Sequence, residues 1–408
     1  MHLRIHKRSL NDWLIFILAF LPFLLGYLPY SCRYLLDLSW CLLFILLLFF
    51  RKQIDTRPIR PILYWITAFV LTSAVLYLFH FQSLLNYLWG VRNNFRFYVV
   101  FVAVCLFQTE QDAEEYFRIL DLLFWVNAVL SLYQFVVLGL GQDNLGGIFG
   151  TEVGCNAYSN LFFLIVTSRA VVRFLNQKES CFSCFMKCGT AMLLSALAEL
   201  KIFYVEFVCI LLLLLLINRL SKRVMLILWF GGISVIFTAV LLVNLYPEFA
   251  AVMTPQGLLE AALSRRGYTS SGDLNRLTVI PLVNQWFLHE PLTQIFGLGL
   301  GNCETSHFTW LNTDFYQHHQ YSHYTWLSTA FMYLEMGWIG LIFLFGFFLI
   351  NNKLCLYKLR NGGNLVHCQI GRVLSLCAPL VLIYNSSLRT EAAYMFFISL
   401  AFAHVRKK

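Results

Sequence analysis

Apolar stretches recur along almost the whole chain, at about 13–30, 34–50, 62–79, 97–108, 118–139, 156–174, 189–200, 202–218, 224–245, 325–350, 371–386 and 391–404. A helix needs roughly 20 mostly apolar residues to cross a bilayer. The expected architecture is therefore all-α: a polytopic membrane protein with about 12 transmembrane helices, several of them short, and one large extracytoplasmic loop. Only 12% of the residues are charged, where a soluble domain carries about 25%. The chain divides into N-terminal transmembrane helices over 1–244, a large outer loop with short helices over 245–324, and C-terminal transmembrane helices over 325–408. No cleavable signal peptide is expected, because the first apolar run lacks a small-residue cleavage site and further spans follow it.

Charge sets the orientation. With the N-terminus inside, the inner segments hold 21 of the 30 lysines and arginines. The outer side keeps Arg33, Arg92, Arg96, Lys201, Arg265, Arg266, Arg276 and Arg389, and Arg169 falls inside a span. This follows the positive-inside rule and places both termini in the cytoplasm. The formal charge of +9 is thus accounted for by topology, and no nucleic-acid partner is implied. The bilayer itself is the first expected partner. Twelve cysteines are scattered, many in apolar runs, and form no disulfide framework. Cys181, Cys184 and Cys188 read as juxtamembrane thiols without a metal.

From about Leu245 to Gly337 the sequence turns polar, aromatic and basic. Asp273 is a plausible helix cap, which puts Arg276 in a first helical turn. His289-Glu290-Pro291 ends that helix. Gly297, Gly299 and Gly301 make a flexible turn. His323, Trp326, Leu327, Ala330 and Leu334 share one helix face, so His323 is expected at the start of a helix that Gly337 breaks or caps.

Positive charge on the outer side runs against topology statistics, so each outer arginine needs a reason. A guanidinium fork binds pyrophosphate bidentately and stays charged. Arg92 and Arg96 stand four apart, just above a span, and fit either that role or snorkelling to headgroups or pairing with an acid. Arg265, Arg266 and Arg276 lie in the loop. His323 can take a proton from a hydroxyl near neutral pH; the alternative is a polar interfacial cap. His318 and His319 read as loop residues, and the histidine spacing matches no metal site. Glu199 and Lys201 sit between two short apolar runs, either as an outer turn or as charges that both reach a site from a break between half-spans.

Asn275-Arg276, Pro291-Leu292, Gly297-Leu298-Gly299, His323-Tyr324-Thr325-Trp326-Leu327 and Glu335-Met336-Gly337-Trp338-Ile339-Gly340-Leu341 together resemble the O-antigen polymerase and O-antigen ligase superfamily. Glu199-Leu200-Lys201 resembles a Glu-x-Lys feature of such polymerases. Tyr324 stands where the family often has Asn. The resemblance implies a GT-C-like membrane fold and an inverting glycosyltransferase of the bacterial inner membrane. It implies a donor glycan on undecaprenyl pyrophosphate and a periplasmic active loop. It also implies a chain-length regulator as partner, and neither nucleotide nor metal as cofactor. Arg276, Arg92, Arg96, Arg265, Arg266 and Lys201 would bind the pyrophosphate, and His323 or Glu199 would be the base. A polymerase of the Wzy type is the expected activity. The rivals are a ligase that moves the glycan to another acceptor and, from another class, a lipid-linked glycan flippase.

Overall fold

The computed structural model describes residues 9–50, 55–80, 83–217, 221–247, 250, 254, 256–257 and 273–406. Among these the regular structure is helical, and the one β-feature is an isolated bridge between Thr109 and Arg406. The helices are α1 (Leu10–Phe20), α2 (Arg33–Phe50), α3 (Arg60–His80), α4 (Leu84–Phe107), α5 (Glu110–Val136), α6 (Asn156–Leu175), α7 (Cys181–Leu197), α8 (Lys201–Ile217) and α9 (Lys222–Leu245). Between α9 and the C-terminal helices lie the short α10 (Val279–Trp286), α11 (Pro291–Phe296) and α12 (Asp314–His319), and α13 (Ser328–Arg360), α14 (Leu365–Tyr384) and α15 (Ala393–Ala401) complete the bundle. Start signals lie in the sequence: the side chains of Ser180 and Ser221 accept amides at the heads of α7 and α9, and Thr109 and Asp112 form a capping box at the head of α5.

Eight of the described helices are long and apolar enough to cross a membrane, and three shorter apolar helices accompany them. α6 and α14 lie mostly inside the bundle, whereas α2, α3 and α9 ring it. Phe49, Tyr64, Phe79 and Trp229 project from that ring, each largely exposed. An apolar surface of this extent is stable against lipid and costly against water. The membrane character expected from the sequence is therefore borne out.

The helix ends gather into two groups. At one end Gln108 donates to Asp12, Asn364 to Glu110, and Arg223 to the Phe174 carbonyl. At the other, Arg33 meets Glu152, Asn156 donates to the Ala198 carbonyl, and Tyr246 donates to the Leu197 carbonyl. The short helices α10–α12 and the cations Arg33, Arg92, Arg96, Lys201, Arg276 and Arg389 lie at this second end, called here the site end.

Several local expectations need correction. α4 begins at Leu84, so Arg92 and Arg96 stand inside a helix rather than above a span of 97–108. Carboxylates near each of them make charge tolerable there. Arg276 precedes α10, which starts at Val279, and stands in a turn in which Leu277 N–H donates to Asn275 Oδ1 at 3.4 Å. The helix expected to end at His289-Glu290-Pro291 stops earlier: α10 ends at Trp286, and Pro291 opens α11. α13 starts at Ser328, so His323 lies outside the helix. His318 and His319 close the short α12.

The opposite end contains a buried charge network. Arg169 on α6 pairs with Asp121 on α5, and Lys187 on α7 lies 3.0 Å from Asp121 and 2.8 Å from Glu179. Arg173 lies 3.2 Å and His367 3.3 Å from Glu114. Arg169 and Lys187 are buried, so each depends on its partners to offset the loss of hydration. The network ties α5, α6, α7 and α14 together. Lys187→Met leaves Glu179 and Asp121 short of a cation, and is expected to cost about 3 kcal/mol of stability. The unfolding midpoint in detergent measures this, and an unchanged midpoint would remove the network from the account of the fold.

Candidate functional site

The site end is organised by a break in α13. Gly337 adopts φ 58° and ψ −151° inside that helix. A Cβ there would come within 2.4 Å of the Gln294 carbonyl oxygen, so only glycine admits the close approach of α11. The break frees the helix to bind the glycine turn. Leu298 N–H donates to the Leu334 carbonyl at 2.8 Å, and Gly299 N–H to the Glu335 carbonyl at 2.9 Å. The Glu335 side chain is buried and accepts from the amides of Gly301 and Cys303 at 3.0 and 3.3 Å. The turn is thus clamped, not flexible as glycine content alone implied. Tyr324 seals it from the other side, its hydroxyl donating to the Cys303 carbonyl.

The clamped segment delivers Glu304 to a first cluster of charges. Arg389 Nη2 lies 2.7 Å from Glu304 Oε1, and Asn93 Nδ2 donates to Oε2 at 2.9 Å. Arg389 also covers the Phe331 ring, 3.3 Å from its centroid. Arg96 is buried and donates to the Arg389 carbonyl at 3.0 Å. Tyr158 donates to Glu391 at 2.9 Å. Removal from water raises the Glu391 carboxyl, and the Arg96 and Arg33 guanidiniums lower it by more, so it stays below the usual carboxylate range. Arg92 meets Asp37 through both Nε and Nη2, at 3.0 and 2.5 Å, and lies over the Trp89 ring. Arg33 Nε, Arg96 Nε and Arg389 Nη1 are buried without an acceptor.

A second cluster lies around Arg276. Its Nε donates to the Tyr384 carbonyl at 2.7 Å, and its guanidinium covers the Tyr384 ring at 4.1 Å. Leu274 N–H donates to the Ser322 carbonyl at 3.0 Å, which runs the Arg276 segment beside His323. The His323 ring stacks on Trp326 at 3.9 Å and 13°. Lys201 Nζ is 3.1 Å from Glu199 Oε1, and its charge is felt by Arg276 and Asp143. Among the described residues, only Gln142, Gln177, Glu199 and His323 combine a side chain with positive φ. For a residue other than glycine such a backbone costs of order 1–3 kcal/mol and clusters at functional sites. Two residues singled out by sequence as candidate bases therefore carry local strain.

The candidates of the sequence reading thus fall into two groups. Arg276, Glu199 and Lys201 share the second cluster, and His323 enters it only through the backbone, as the neighbour of Ser322, whose carbonyl accepts from Leu274; Arg92 and Arg96 belong to the first and are held by partners. Arg265 and Arg266 lie outside the described residues. Sequence reasoning passed over Asp37, Glu304, Glu391 and the roles of Arg33 and Arg389. A signal existed for two of them: Asp37 interrupts an apolar run, and Glu391 sits between the last two spans, where a charge is costly unless used. Glu304 had no such mark. The described residues contain no group of three or more His, Cys, Asp or Glu side chains arranged to hold a metal.

Fold and site together define an all-helical, membrane-type bundle with paired charges and an aromatic loop at one end. No protein-family model matches the chain, and no curated protein matches it.

The lowered Glu391 pKa has a signed consequence. A carboxyl whose folded pKa lies below its unfolded value contributes stability above the unfolded pKa and loses it as pH falls through the folded one. From about pH 5 to about pH 3, the unfolding midpoint of the wild type should fall more steeply than that of Glu391→Gln. Parallel curves would contradict the pairing of Glu391 with Arg33 and Arg96.

Proposed function

We propose that this chain is a bacterial inner-membrane glycosyltransferase that polymerises oligosaccharide repeat units carried on undecaprenyl pyrophosphate. The observation that carries the reading is Lys201, held by Glu199 and within the field of Arg276, at one end of an apolar bundle, with His323 on the segment that pairs with the Arg276 backbone. In this reading α1–α9 and α13–α15 each cross the bilayer once, which makes twelve crossings, and the site end faces the periplasm. A donor whose lipid tail lies in the membrane would present its pyrophosphate at that depth.

The chemistry needs few parts. The acceptor hydroxyl attacks the anomeric carbon from the face opposite the leaving group. The new C–O bond forms as the bond to the phosphate oxygen breaks, and undecaprenyl pyrophosphate departs with the electron pair. Arg276 and Lys201 stabilise the negative charge that develops on it, a task for fixed cations in a site shielded from water. Tyr384 orients Arg276 through its carbonyl and ring. His323, its ring fixed by Trp326, accepts the hydroxyl proton; an imidazole suits that role near neutral pH. Glu199 holds Lys201 in place. The departing pyrophosphate is already activated, so the step consumes no nucleotide.

Arg276→Ala and His323→Ala, each expressed at the wild-type level, are expected to lower polymer formation in cells by about 100-fold or more. Arg276→Lys should recover only part of the loss, because an ammonium lacks the fork. Chain lengths on a gel provide the measurement. Full-length polymer from either alanine variant would overturn the assignment, and single-unit transfer to a different acceptor by the wild type would point to the ligase.

A further inference from the structure

A cavity of about 380 Å³ opens at the site end, away from Arg276, and is lined by Tyr30, Trp89, Arg92, Asn93, Ser306 and His307 among others. Tyr30, Trp89 and His307 give it aromatic walls, with the Arg33 guanidinium over the Tyr30 ring at 4.6 Å and Arg92 over Trp89 at 4.7 Å. The Tyr30 ring stacks on His307 at 4.1 Å and 26°, and beside them Tyr34 stacks on Phe308 at 5.8 Å and 19°. Trp89 Nε1 donates to the Thr305 carbonyl at 3.4 Å, which fixes the indole against the loop. Tyr30, Phe308 and Trp310 are exposed. Isolated interfacial aromatics at a membrane surface point singly towards lipid headgroups. Here they are paired with one another and grouped around a hollow that also presents amide and hydroxyl groups.

The electrostatics of the hollow select among ligands. Arg92 is the cation in its wall, and Asp37 takes it up through two guanidinium nitrogens. Its Nη1 is close to Asn93 Oδ1 at 2.5 Å. With Arg92 taken up by Asp37, and Arg33, which lies over the Tyr30 ring, facing Glu152, the cavity is polar without a large uncompensated charge, a poor match to pyrophosphate. Flat apolar rings beside hydrogen-bonding groups held in fixed planes match a sugar, whose C–H faces stack while its hydroxyls bond at the edge. The cavity lies between the turn before α2, α4 and the loop that Glu335 clamps, so its shape depends on the same lock as the rest of the site end.

We propose that this cavity is a carbohydrate subsite, which holds sugars of the oligosaccharide chain that are not themselves reacting. It rests on the glycosyltransferase reading for the identity of the glycan. Holding the chain here keeps a growing product at the site between additions, so loss of the subsite shortens the product.

The test uses the purified full chain in detergent and free oligosaccharides of one to four repeat units. These are cut from the lipid-linked pool of the source cells by mild acid, so they carry neither lipid nor pyrophosphate. Titration calorimetry should find binding by the wild type that tightens with length. The double variant Tyr30→Ala/His307→Ala, altered at the rim, should bind about tenfold more weakly. His318→Ala, changed at an exposed histidine elsewhere in the loop, should bind as the wild type. The double variant should also make shorter polymer in cells at normal expression. Its unfolding midpoint, compared with the wild type, separates lost contact from lost fold. If the wild type polymerises while the double variant binds free glycan equally and makes chains of normal length, the subsite is wrong and the polymerase reading stands. If the wild type makes no polymer but the length-dependent binding depends on Tyr30 and His307, the subsite stands without that reading. Absence of binding by the wild type overturns the subsite outright.

Discussion

The buried carboxylate of Glu335, with two backbone amides of the glycine turn as its donors, joins the segment of short helices to the helix bundle. Its oxygen accepts from Gly301 and Cys303, while the carbonyls of Leu334 and Glu335 accept from Leu298 and Gly299. These bonds exist because Gly337 interrupts α13 just after Glu335 and turns the helix end towards the loop. An unpaired polar group is expensive in a medium without water, so the loop amides and the helix break satisfy one another. Glu304, Asn93 and Arg389 follow from that placement, and so does the cavity beside Trp89.

A second constraint is the treatment of charge. Each cation described at the site end has carboxylates, carbonyls or rings around it: Arg92 has Asp37, Lys201 has Glu199, Arg389 has Glu304 and Phe331, and Arg276 has the Tyr384 carbonyl and ring. Pairing lets arginine reside at membrane depth. It also divides the labour. Arg96 and Arg389 are buried or partly buried among the helices and hold α4 against the α14–α15 turn. Arg276 and Lys201 are both only partly buried, and Glu199 stands beside Lys201.

Much of this was legible in the sequence, for identifiable reasons. Apolar runs at span length specify membrane helices almost independently of tertiary context, and the helical, apolar character followed. Gly297, Gly299, Gly301 and Gly337 marked a backbone event, but glycine content cannot tell a mobile turn from a clamped one; that depends on Glu335, some 34 residues from Gly301. Arg276 and His323 were picked out as candidates, and a Leu274–Ser322 backbone bond that no local pattern encodes brings their segments side by side. The helical face assigned to His323, Trp326 and Ala330 was misleading, because the left-handed His323 and a short 3-10 turn precede α13. Charge pairs such as Arg92–Asp37 and Arg389–Glu304 join residues 55 and 85 positions apart, and spacing within one helix could not reveal them.

The central claim is that the Arg276–Lys201–His323 end of this bundle joins lipid-linked sugars. The most direct measurement combines the purified chain in liposomes with an undecaprenyl-pyrophosphate-linked repeat unit, without added metal or nucleotide, and separates the products by size. The account predicts a ladder of products that differ by one repeat unit and remain on the lipid pyrophosphate. An unchanged single unit, with cognate substrate and correctly folded protein, would contradict it.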